Sequence, residues 1–158
     1  MYEKQKNEKD VLYILKNLRP EDEAEARVLK GDDYINVLLQ EIMSPNVITR
    51  LGCKKSDDTP VCIGGYTDAR EEGAGVVWLL ATNEVENYKT CLLRNIIKTL
   101  KEADEKYQVT YNFLFSENKL AKSWLKKTGF RFDNPQGINA PEGFEFFYRI
   151  RPVRGLRG

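Results

Sequence analysis

The chain has 158 residues, 25 Lys and Arg against 24 Asp and Glu, and a formal net charge of +1. A chain of this length can bury its own core without disulfides or metal, and its charge balance gives no bulk electrostatic reason to expect nucleic acid or a membrane surface as partner. It contains no histidine, which excludes, within one chain, a Ser-His-Asp triad, a Cys-His pair, a histidine general base and a His-ligated zinc. The three cysteines, Cys53, Cys62 and Cys91, lack metal-ligand spacing. Their odd number, with no leading apolar segment and no run of bilayer length, predicts a reducing, cytoplasmic setting.

Taken in chain order, residues 1–10 are nearly all polar or charged and predict a flexible arm, followed by one domain over 11–151 and a tail over 152–158. In that tail Arg154 and Arg157 continue a basic series begun by Arg149 and Arg151. The apolar run at 11–15 predicts a strand. Arg19-Pro20-Glu21-Asp22 then starts a helix through Ala24, Ala26, Val28 and Leu29 that stops at Gly31. Asp32 or Asp33 can cap a second helix with Ile35, Leu38, Leu39 and Ile42 on one face, broken before Pro45. Strands at 47–53 and 60–66 flank a charged turn, and a glycine-containing loop at 71–75 leads into 76–82. That last run is apolar on both faces and predicts a central strand. The longest helix spans 86–107, with Cys91, Leu92, Ile96, Ile97, Leu100 and Ala103 at helical spacing. A strand at 109–115, a helix at 118–128 ended by Gly129, a loop at 133–143 and a strand at 144–150 complete the chain.

This order of elements resembles the GNAT acyltransferases, and one motif makes the resemblance residue-specific: Asn118, then Ala121, then Gly129-Phe130. Asn118 would cap the helix, Ala121 would let it pack closely, and Gly129 would end it. A closer similarity is to the small GNAT-like proteins of tailed bacteriophages, including internal virion proteins of short-tailed phages. It rests on Ile63-Gly64-Gly65, Trp78-Leu79-Leu80-Ala81-Thr82, Glu105-Lys106-Tyr107 and the aromatic strand Tyr111 to Phe115. The resemblance implies an α/β (mixed α+β) fold: a single GNAT-like domain with a central mixed sheet of about six to seven strands and helices on both faces.

It also implies a site. In GNAT proteins the central strand splays from its neighbour and its backbone holds the pantetheine arm of acetyl-CoA. Leu79, Leu80, Ala81 and Thr82 correspond to that strand, Asn87, Tyr88 and Lys89 to the turn after it, and Asn118 and Trp124 to the facing helix. Backbone groups free at Leu80 and Thr82 would favour an enzyme, and a groove filled by Trp124 a silent protein. Two departures stand out. The pyrophosphate turn at 83–91 has no glycine and carries Glu84 and Glu86, which oppose an anion. The position of the family's thiolate-protonating tyrosine is Leu125. Tyr88, Tyr111 or water could replace it, and Glu71, Glu72 and Glu84 are candidate general bases, so the catalytic residues stay open. Two readings follow. One is acetyl-CoA-dependent transfer to a primary amine on a small molecule or protein. The other is a catalytically silent GNAT-fold phage virion or ejection protein, or a partner-binding protein, in the host cytoplasm or the virion.

Overall fold

The computed structural model describes residues 1–153, so Arg154 and Arg157 of the expected tail lie outside the described residues. The polar start, expected as a flexible arm, forms strand β1 (Tyr2–Lys4), antiparallel to β2 (Ile48–Cys53) with Tyr2 opposite Cys53. Polar pairing, which composition does not report, holds it there. The Tyr2 hydroxyl donates to Asp58, and Lys6 Nζ donates to the carbonyls of Ile42, Ser44 and Val47 at 2.8, 2.7 and 2.8 Å.

The apolar run at 11–15 is not a strand but lies inside helix α1 (Glu8–Lys16). Asn7 caps it, its side chain accepting from the Asp10 N–H, and Val11, Ile14 and Leu15 fall on one fully buried stripe. A cap together with i, i+3, i+4 spacing outweighs the β preference of the individual residues. Helices α2 (Pro20–Lys30) and α3 (Tyr34–Met43) follow as predicted, with Gly31 at φ +83° between them. The remaining elements are β3 (Pro60–Asp68), β4 (Ala74–Ala81), a 3-10 helix (Asn83–Tyr88), α4 (Lys89–Lys106), β5 (Val109–Phe115), α5 (Lys119–Lys127) and β6 (Phe144–Ile150). The expected long helix therefore begins at Lys89, behind a tighter turn. The six strands form one mixed sheet in the order β1-β2-β3-β4-β5-β6, with β4 parallel to β5. This is the mixed α/β class expected. No helix among the described residues is long and apolar enough to cross a membrane.

The chain divides into two compact units, 1–67 with 78–95, and 68–77 with 96 onward. In the first, Val11, Ile14, Leu15, Ile42, Leu51, Cys53 and Ile63 make the core, and Trp78 and Leu80 pack against it. Strand β3 comes so close to β2 that a Cβ on Gly65 would lie 1.8 Å from the Ile48 carbonyl oxygen, a position open only to glycine. The second unit is built on aromatic cross-strand pairs, Tyr111 opposite Tyr148, Phe113 opposite Phe146 and Phe115 opposite Phe144, an arrangement that stabilises an antiparallel pair through ring contact. On the other face Phe130 meets Phe147 edge-on at 5.2 Å.

Candidate functional site

In the first unit the site residues expected on the central strand sort by direction. Thr82 donates its N–H to the Val61 carbonyl at 2.9 Å, and its hydroxyl donates to the same oxygen at 3.0 Å. Thr82 therefore faces β3, and by alternation Leu80 directs its backbone the same way. The Thr82 N–H is thus engaged with β3 and is no free edge. Leu79 and Ala81 face the opposite way. At Ala81 that edge is already taken, because its N–H donates to Asp22 Oδ2 at 2.9 Å and its carbonyl accepts from the Arg19 N–H at 2.9 Å.

Asp22 and Arg19 form a buried pair, with Arg19 Nη2 3.0 Å from Asp22 Oδ1 and Nε donating to Oδ2 at 3.3 Å. Burial pushes the Asp22 carboxyl up, against the pull of the Arg19 hydrogen bond and charge. Burial is also the largest influence against the Arg19 charge, but the Asp22 hydrogen bond together with the charges of Asp22, Glu21 and Glu25 outweighs it and holds the guanidinium protonated. The turn Arg19-Pro20-Glu21-Asp22, legible in sequence as a helix start, is thus also a clasp on the end of β4.

The glycine-free stretch after β4 folds as a 3-10 helix, anchored by fully buried Val85, whose N–H donates to the Thr82 carbonyl at 3.1 Å. Asn87 and Tyr88 sit in its last turn and exposed Lys89 opens α4. The carboxylate of Glu84 lies 3.2 Å from Lys54 Nζ and accepts from Asn87 Nδ2 at 3.3 Å. The Lys54 hydrogen bond, then that of Asn87 and the Lys54 charge, hold Glu84 below the usual carboxylate range. It is a weakened base, and its charge is matched locally.

In the second unit β4 pairs with β5 in parallel over three residue pairs, Ala74 with Val109, Gly75 with Thr110 and Val76 with Tyr111. At the next position the carboxamide of Asn112 donates from Nδ2 to the Val77 carbonyl at 2.7 Å and accepts from the Phe113 N–H at 2.8 Å. Two catalytic candidates meet here, since the Tyr111 hydroxyl donates to Glu71 Oε2 at 2.9 Å. Burial first, then the bond to Glu71, raises the Tyr111 phenol. Glu71 is lowered by its own backbone N–H and then by Tyr111. Glu72 lies exposed in the turn before β4.

Asn118, 2% exposed, caps α5 as expected, its side chain accepting from the Ala121 N–H at 3.3 Å, and Gly129 follows at φ +95°. Trp124 is buried on the same helix, and Leu125 is half-buried. Cys62 is no nucleophile: burial, then the neighbouring Cys91 and Cys53, push its thiol up to about 12, so it stays protonated at neutral pH.

Residues 79–82 and 87–89 thus fall in the first unit, Asn118 and Trp124 in the second. Sequence reasoning missed Arg19, Asp22, Lys54 and Asn112. Only Asn112 carried a signal, as the one amide in a strand run that is otherwise apolar and aromatic save for Thr110.

The chain matches no protein-family model and no curated protein sequence. Solved structures do resemble it. A GNAT-family acetyltransferase from Streptococcus pneumoniae superposes with a TM-score of 0.63 at 15% identity, over 96% of this chain and 99% of the other. An aminoglycoside 6'-acetyltransferase type Ii gives 0.66 at 14% identity, over 98% and 100%. The ribosomal-protein-alanine N-acetyltransferase of Brucella melitensis gives 0.66 at 13%, over 95% and 99%. At these identities the likeness is one of fold, and the fold is that of the GNAT acetyltransferases.

Proposed function

We propose that the chain is a GNAT-type N-acyltransferase that uses acetyl-CoA and acts on a primary amine. The observation that carries this reading is the short parallel pairing of β4 with β5, three pairs ending at Val76 and Tyr111, in a chain with the GNAT fold. Bound acetyl-CoA would supply a thioester as acyl donor.

The residues fit the neutral pantetheine arm better than the pyrophosphate. Leu79, whose backbone faces away from β3, is the strand residue offered to an amide-bearing arm, while Ala81 is occupied by Arg19 and Asp22. Lys54 offsets the charge of Glu84, and Lys89 at the head of α4 adds a cation near that turn. Glu71 is kept ionised by its hydrogen bonds. A carboxylate of lowered pKa suits holding an ammonium group better than deprotonating it.

Isothermal titration of the purified chain with acetyl-CoA and with CoA tests the reading, checked by the thermal shift that specific binding produces. Micromolar binding is expected, and Leu79→Pro, which removes one N–H on the edge away from β3, should abolish it while the chain stays folded. No binding at millimolar cofactor overturns the reading.

A second reading, a catalytically silent GNAT-fold protein of the phage virion type, is favoured by the clasp on Ala81, the 3-10 helix in place of a glycine turn, and Leu125 at the tyrosine position. The same titration separates the two.

A further inference from the structure

In a parallel ladder, a residue facing its neighbour accepts at its carbonyl from the N–H one residue beyond its partner. The register of Val76 with Tyr111 makes Asn112 the partner of Val77, so the next bond would run from the Phe113 N–H to the Val77 carbonyl. Both groups are present, but the paired register stops at Val76 and Tyr111, before that bond. The Asn112 carboxamide stands between them, accepting from Phe113 N–H at 2.8 Å and donating to the Val77 carbonyl at 2.7 Å.

We propose that Asn112 is a positioning residue, a carboxamide spacer that ends the β4–β5 ladder at a set point and thereby fixes how far an extended, amide-bearing ligand arm can enter beside β4. The ligand part of the inference rests on the acyltransferase reading; the spacer part does not. The chemistry is selective. Relaying an N–H to a C=O needs an acceptor and a donor on one planar group, which asparagine has, aspartate at neutral pH lacks, and alanine lacks altogether. A simple end to the ladder would leave the carbonyl of buried Val77 and the N–H of half-buried Phe113 to be satisfied some other way. Here the separation of the strands and the satisfaction of their groups are one device, and it lies one residue beyond Tyr111, whose hydroxyl engages Glu71.

The test uses the full chain, with Asn112→Ala and Asn112→Asp beside the native sequence. It follows amide exchange at Phe113 by NMR and affinity for CoA by titration. With the spacer gone, the ladder closes by one bond: in Asn112→Ala the Phe113 amide stays protected, now by Val77, while CoA binds at least about tenfold more weakly. Asn112→Asp retains the acceptor for Phe113 and loses the donor, so it keeps the gap; its CoA affinity should stay within about threefold of native although its thermal midpoint falls.

Free exchange at Phe113 in Asn112→Ala overturns the spacer. A protected Phe113 with unchanged CoA affinity overturns its role in setting ligand depth. Should the native chain bind no CoA, the acyltransferase reading and the ligand-depth role fall together, and exchange at Phe113 in Asn112→Ala still decides the spacer by itself. If Asn112→Ala fails to fold, Asn112→Asp decides: loss of CoA binding with Phe113 still protected overturns the proposal, and retained binding supports it.

Discussion

Val77 and Ala81 lie on one strand, yet the chain satisfies their backbone groups by opposite means. At Val77 a neutral carboxamide from β5 reaches across, in a unit that also holds aromatic pairs, phenol–carboxylate bonds and ion pairs. At Ala81 the work falls to a buried ion pair from the start of α2. The difference is one of cost. A carboxamide loses little on leaving water and regains it in two hydrogen bonds, whereas an ion pair gives up a large hydration energy that only good geometry restores. The clasp should therefore be strong as a whole and fragile in its parts.

The largest effect should come from breaking that pair on one side. Asp22→Ala takes the carboxylate from beside a buried guanidinium and the acceptor from the Ala81 N–H, and should cost about 3–5 kcal/mol, read by urea denaturation of the full chain. Replacing both partners together, Arg19→Met with Asp22→Leu, should cost much less. If the single and double variants lose equal stability, the contrast between the two ends of β4 fails.

Next in size is Phe146→Ala. The ring touches Tyr111, Phe113 and Tyr148, and its loss should cost about 3 kcal/mol, with the thermal midpoint as the measurement. A smaller effect is expected from pH. Asp133 accepts from the Tyr148 hydroxyl at 2.7 Å and pairs with Arg131 at 2.6 Å. The Tyr148 bond, opposed by burial and helped by Arg131, holds its folded pKa below the usual 3.8. Its contribution is therefore complete above that value and is lost as pH falls through the lower folded one. Asp133→Asn should flatten the acid limb of a stability–pH curve by lowering neutral stability slightly while leaving stability at low pH unchanged. The smallest is Lys54→Gln, an exposed pair with Glu84: stability should not move, while CoA affinity should fall about threefold because Glu84 then faces the ligand uncompensated.

Much of the fold was legible. Strands at 47–53, 60–66, 109–115 and 144–150, the helices after Pro20 and Asp33, and the Asn118 cap each rest on local pattern or on a cap reaching only a few residues. Residues 11–15 misled because β-branched and aliphatic side chains suit either element, and the deciding signal was Asn7 just before them. Residues 1–10 misled because low hydrophobicity says nothing about a lysine that finds three carbonyls at the end of α3. The strand and the turn of the candidate site were legible as elements, but which of their backbone groups are engaged was not.

The sequence by itself determined the periodicities, the caps and the exclusion of histidine chemistry, since these depend on covalent structure and short-range sterics. Tertiary structure alone decided that Asp22 would take the Ala81 N–H, that Lys54 would answer Glu84, and that Asn112 would stand within the β4–β5 ladder. A polar group bonds to whatever complementary group folding brings within about 3 Å, and those neighbours come from segments far away in the chain.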